Sequence, residues 1–224
     1  MSLRPIPIPT ALLLLLLFAS QSVSAQDSLK QLLDSSGYPA DTKQGISALF
    51  EEAARREVPR ELILPRLQEG IAKNVPPGRV VAALQRDLSN LLEARKLLLE
   101  IDNGDRIQKN LGRWARAANL IAAGRSPQEV RALAESSVPR PEAFREATVL
   151  YVSLTKWGLS RELALRVVQA AVDSRLSADE LPGIAELFAV ARQRRIRPER
   201  MVERIVVALA EAGSLRRLRS MVVE

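Results

Sequence analysis

From about residue 28 to the C-terminus, apolar side chains recur three and four positions apart and never settle into strict alternation with polar ones. A three-to-four period is that of a helix with one buried face, whereas a half-buried strand needs a period of two. In 105–123, Ile107, Leu111, Trp114, Ala118 and Ile121 fall within one narrow arc. In 160–174, Leu163, Val167, Ala170, Ala171 and Ser174 do the same more weakly. No β-branched cluster is framed by hairpin turns. The expected fold class is therefore all-α.

Capping chemistry marks where the helices begin. Ser177-Ala178-Asp179-Glu180 and Ser126-Pro127-Gln128-Glu129 both read as capping boxes, in which Ser and Glu each take up a backbone N–H that the first turn leaves unbonded. Leu176 and Leu181 occupy the two staple positions around the first box, and Asp41-Thr42-Lys43-Gln44 is a third candidate box. Pro59, Pro76, Pro139 and Pro198 suit helix starts. The resulting helices are 28–36, 41–56, 59–73, 76–102, 105–123, 127–136, 139–157, 160–174, 177–194, 197–211 and 214–223. Pairs of them recur every 37 or 38 residues toward the C-terminus, a spacing typical of helical-hairpin repeats. Arg60-Glu61-Leu62-Ile63-Leu64 also reappears as Arg161-Glu162-Leu163-Ala164-Leu165, with Phe50 meeting Tyr151 and Gln68 meeting Gln169 at the same offset of 101, which suggests duplication. Tetratricopeptide and ankyrin signature positions are not filled. The expectation is antiparallel helical hairpins stacked as an α-solenoid-like array or an irregular multi-helix bundle.

Residues 1–25 read as a cleavable signal peptide. Arg4 gives the positive start, Ala11–Ala19 the apolar core, and Val23-Ser24-Ala25 the small residues of a cleavage site. A core of nine residues is short of the about 20 that a spanning helix needs. Removing 25 of the 224 residues leaves a chain of 199, and since Arg4 is the only charge removed, the net charge falls from +7 to +6. With no Cys and no Asn-x-Ser/Thr sequon, a bacterial periplasmic or secreted location fits better than a eukaryotic one. Residues 26–224 form the helical repeat-like domain, with possible subdivision near the turn at 102–105 or the breaker cluster at 136–141.

The chain contains no His and no Cys. A Ser-His-Asp triad, a Cys nucleophile and an ordinary zinc or haem site are thereby excluded. Carboxylate chemistry is left, but Glu61, Glu162 and Glu180 sit in first turns, where capping and the helix dipole account for them, and Glu51/Glu52 have no partner motif. No phosphate-cradling glycine loop appears. The expectation is no enzyme, no cofactor and no metal.

Basic surfaces are the working parts that remain. Arg106, Lys109, Arg113 and Arg116 are spaced three, four and three apart, which places them in an arc of about 80° lying roughly 140° from the apolar stripe of helix 105–123. Residues 190–224 carry nine Arg against four Glu, with Glu199/Glu203 and Arg200/Arg204 spaced for local pairing. Arg216, Arg217 and Arg219 alternate with Leu215, Leu218, Met221 and Val222 as a short amphipathic tail, able to cap the stack, dock in a groove or lie on an anionic membrane. Val81, Leu84, Leu88, Leu91 and Leu98 resemble a coiled-coil seam, so a homo-oligomer through 81–98 is one possibility. Trp114 reads as core; Trp157, before Gly158 at a helix end, reads less so. Nucleic acid is disfavoured, because few aromatics accompany the charge and the chain is exported.

The function expected is that of an exported, non-enzymatic interaction or scaffold protein, presenting a helical-repeat surface to a protein partner in the cell envelope. The alternative is a binder of anionic envelope polymer or lipid headgroups through the basic faces.

Overall fold

The computed structural model describes residues 28–102 and 104–223. The signal-peptide reading of 1–25 falls outside them. Among the described residues there are twelve α-helices and no strand. They are α1 (28–35), α2 (Ala40–Arg55), α3 (Leu64–Ala72), α4 (Pro77–Leu99), α5 (Gly104–Lys109), α6 (Leu111–Ala122), α7 (Pro127–Ser136), α8 (Phe144–Lys156), α9 (Arg161–Asp173), α10 (Ile184–Gln193), α11 (Pro198–Leu209) and α12 (Leu215–Val223). The all-α expectation holds.

Three expected helices start later than anticipated, each behind a 3-10 turn: Arg60–Leu62 before α3, Pro141–Ala143 before α8, and Ala178–Gly183 before α10. Pro65 and Pro182 explain two of them. Proline has no N–H and its ring clashes with the carbonyl four residues back, so an α-helix begun at 59 or 177 cannot run through it. A fourth difference is that the single helix expected over 105–123 breaks at Asn110, whose φ of −122° and ψ of 65° lie outside the helical region; its side chain accepts from Arg113 N and opens α6 afresh.

The capping boxes at Ser126/Glu129 and Ser177/Glu180 are both formed. The box proposed at Asp41 is not: Pro39 stands at the N-cap of α2, and Asp41 Oδ1 accepts from the N–H of its neighbour Thr42. Helix ends share a second device. After α2, α3, α6, α8 and α10 a residue with φ between 51° and 89° (Glu57, Asn74, Gly124, Gly158, Arg195) turns the chain. The next N–H (Val58, Val75, Arg125, Leu159, Ile196) then bonds a carbonyl five residues back. This is the Schellman arrangement.

Two compact units divide at Arg86/Asp87, inside α4, while the turns at 102–105 and 136–141 lie within the second unit. In the first unit Leu33, Ile46, Phe50, Ile63, Leu67 and Leu84 are buried. Gly70 on α3 leaves room for Val80, whose methyl would lie 2.8 Å from an added Cβ. Tyr38 Oη donates to Val75 O, 3.2 Å, tying α1–α2 to the end of α3.

The second unit stacks α8 on α9, α9 on α11, and α10 and α11 on α12. Its core holds Trp114, Phe144, Leu150, Tyr151, Val168, Ile184 and Ile205. Polar ties link successive hairpins. Arg140 reaches the carbonyl of Leu176 at 2.9 Å, 36 residues away, and Glu180 Oε1 accepts from Leu215 N at 2.9 Å, 35 residues away. Tyr38–Val75, at 37, equals the hairpin period read from the sequence, and the other two fall one and two residues short of it. The duplicated stretch does not keep its local form: Arg60–Leu62 is a 3-10 turn, whereas Arg161–Asp173 is a continuous α-helix.

Candidate binding surface

The basic row expected along 105–123 is dissolved by the break at Asn110. Arg106 and Lys109 are exposed on α5, and Arg106 bonds Asp102 at 3.4 Å. Arg113 turns inward and is only 7% exposed. Its guanidinium bonds Asp102 Oδ2 at 2.8 Å and Ala134 O at 3.0 Å, and it lies 5.6 Å from the Phe144 ring centre. Arg113 is thus a buried strut between the 102 turn, α7 and α8. Arg116 is half-buried and lines a cleft of about 330 Å³ together with Arg113, Asn110, Glu142, Phe144 and Arg145; Arg106 and Lys109 do not line it.

Arg216, Arg217 and Arg219 are exposed on α12, while Leu218 and Val222 on its other face are fully buried. Leu218 and Val222 thus close the stack, whereas Met221 on the same helix is exposed and Leu215 half-buried. Of the 81–98 seam, Leu84 is buried in the first unit and Leu88, Leu91 and Leu98 in the second, where Leu91 O accepts from Trp114 Nε1 at 2.7 Å.

Local pairing over 190–224 does not form as expected. Among the described residues, Arg192, Arg195, Arg197, Arg200, Arg204, Arg216, Arg217 and Arg219 are exposed and bond no carboxylate, although Glu199 and Glu203 lie within a turn of several of them. Where α8, α10 and α11 end or begin, Trp157, Leu159, Phe188, Ala191, Arg192, Arg195, Ile196 and Pro198 enclose a cleft of about 310 Å³. Trp157 is 44% exposed there, whereas Trp114 is wholly buried.

The most densely bonded acidic group is Glu129, buried beside α8 and α9. Its carboxylate accepts from Tyr151 Oη, from Ser126 N and Ser126 Oγ at 2.9 Å each, and faces Arg161 at 3.2 Å and Arg125 at 3.6 Å. Arg125 also stands over the Tyr151 ring. Burial works to raise the Glu129 pKa, but the hydrogen bonds from Tyr151 and Ser126 and the charge of Arg161 outweigh it, so the group sits below the usual carboxylate range. Burial, then the bond to Glu129, pushes the Tyr151 phenol up. With its lone pairs committed, Glu129 ties three helices together. The sequence showed it only as a capping residue, because Tyr151 and Arg161 reach it from 22 and 32 residues away.

Among the described residues, no three or more acidic side chains gather as a metal site, and no helix is long and apolar enough to cross a membrane. Comparison of the chain with protein-family models, with curated proteins and with solved structures finds no match.

Proposed function

We propose that this chain is an exported, non-enzymatic interaction module that presents an arginine-rich helical-repeat face to a protein partner in the cell envelope. One observation carries the reading: eight exposed guanidiniums of 192–219 bond no carboxylate among the described residues. Leu218 and Val222 are inside the stack, while Val207 on α11 and Met221 on α12 stay exposed among these charges. Around those two exposed apolar side chains the surface offers positive charge on forked, planar donors, which match carboxylates bidentately. Such a face speeds encounter with an acidic partner and sets its orientation. Arg216, Arg217 and Arg219 put three of these groups together on the exposed side of α12.

The test replaces Arg200, Arg204, Arg216, Arg217 and Arg219 by Gln in the full chain. Chemical crosslinking in intact cells, read by mass spectrometry, is expected to lose its protein adducts while the melting temperature stays put. Unchanged adducts would overturn the reading, as would a destabilised fold, since the charges would then belong to the interior. Binding to phosphatidylglycerol vesicles or polygalacturonate that falls steeply with salt, with no protein adduct in cells, would favour the polymer or headgroup alternative instead.

A further inference from the structure

The cleft at Trp157 combines three features that ordinary surface does not. Its floor is apolar and mostly closed: Leu159, Phe188 and Ala191 are buried, and Ile196 is half-buried beside them. Its rim carries the exposed indole of Trp157 and the guanidiniums of Arg192 and Arg195, which bond no carboxylate among the described residues. No acidic side chain lines it. In addition, α11 opens at the lining residue Pro198, and its N-cap, Arg197, offers no side-chain acceptor, so the first N–H groups of that helix are not capped by a side chain.

Arg195 stands in the left-handed region, at φ 57°, in a position that glycine fills after α6 and α8 and that Glu57 and Asn74 fill after α2 and α3. An L side chain is strained there, and glycine is not. The arginine therefore costs the fold something that the turn does not require, and it is an exposed lining residue of the cleft.

We infer that this cleft binds a peptide segment of a protein partner in which an apolar side chain is flanked by carboxylates: the side chain fills the Leu159–Phe188–Ile196 floor beside Trp157, and the carboxylates meet Arg192 and Arg195. A volume of about 310 Å³ lies within the range of small-ligand sites and suits a large apolar side chain with its neighbours. An acidic sugar fits the charge but not the floor, since its hydroxyls would find no partner there except the two guanidiniums. The assignment rests on the interaction-module reading and names the chemistry that it recognises.

The protein supplies its own reporter. Of its two tryptophans, Trp114 is buried with its indole N–H bonded to Leu91 O, so a ligand that changes the emission acts on Trp157. The experiment titrates the full-length chain with the blocked pentapeptide Asp-Leu-Glu-Phe-Asp, its Asn-Leu-Gln-Phe-Asn and Asp-Ala-Glu-Ala-Asp counterparts, and trigalacturonate. The first peptide is expected to shift and protect the Trp157 emission, with each counterpart weaker by about tenfold or more. Arg192→Gln and Arg195→Gly are each expected to weaken it by about the same factor. The Gly variant should melt at or above the parent temperature, which separates lost binding from lost folding. The inference is overturned if the neutral peptide or trigalacturonate binds as tightly, if the variants bind unchanged, or if no probe alters the emission. Should the peptide fail while protein adducts on α11 and α12 persist in cells, the cleft assignment falls and the module reading stands.

Discussion

Replacing Glu129 by Gln removes the charge at the centre of the second unit's polar knot while keeping the shape of the side chain. Gln keeps one oxygen, which can serve Tyr151 or Ser126 but not both, and its NH2 group points a donor at other donors. Hydrogen bonds to a charged group contribute about 1.5–3 kcal/mol net, while the pair with the exposed Arg161 adds less than about 1 kcal/mol. The expected cost is about 2–4 kcal/mol, read as a lower urea midpoint by circular dichroism. Tyr151→Phe, which keeps the ring under Arg125, should cost about 1.5–2 kcal/mol, and the double variant less than the sum of the two. The pH dependence follows from the direction of the shift. The folded pKa of Glu129 is depressed below its ordinary 4.5, so its contribution is complete above that value and is lost as pH falls through the folded pKa. The gap between wild type and Glu129→Gln should therefore be constant at neutral pH and close in acid. A cost under about 0.5 kcal/mol at pH 7, or a gap that persists unchanged into strong acid, would refute the reasoning.

The Arg113 strut gives a second stability test. Arg113→Met should cost about 3 kcal/mol in urea unfolding, because Asp102 loses its buried charge partner and Ala134 O keeps Ser137 N but loses the guanidinium; adding Asp102→Asn should recover part of that loss. Arg195→Gly should raise stability by about 0.5–1 kcal/mol in thermal melts, the relief of the left-handed backbone exceeding the entropy that glycine adds to the unfolded chain. On α12, Leu218→Asp should lower stability by about 3 kcal/mol or more, whereas Arg216, Arg217 and Arg219→Gln together should change it by less than about 0.5 kcal/mol, both measured by melting.

The parts of the fold that local chemistry decides were legible in the sequence. Ser126/Glu129 and Ser177/Glu180 announce their helices because both partners lie within four residues, and α7 runs over the residues expected. The 3-10 openings were missed by allowing a helix to run through Pro65 and Pro182, a local conflict that the sequence did contain. The break at Asn110 is harder to see, since Ile107 and Trp114 are seven apart and look continuous on a helical wheel whether or not the helix is interrupted between them. That break decided the fate of the basic row. Nothing near Arg113 in sequence foretells Phe144 or Ala134 as its neighbours, and a charge at helical spacing says nothing about which face the fold will bury. The C-terminal arginines were counted correctly, but their pairing with Glu199 and Glu203 was assumed from spacing, which permits contact without requiring it. Trp157 was set apart by the glycine after it, whereas the floor beneath it, apart from the nearby Leu159, comes from α10 and the turn into α11.

The most direct measurement is photo-crosslinking in intact cells, resolved by face, with a photoreactive residue placed singly at Val207 on α11, at Ser220 on α12, or at Gln128 on α7, all exposed. A cationic face left free for an acidic partner predicts one discrete protein adduct from 207 and 220, none from 128, and its disappearance when Arg200, Arg204, Arg216, Arg217 and Arg219 become Gln. Equal labelling from all three positions, or an adduct indifferent to those five charges, would contradict it.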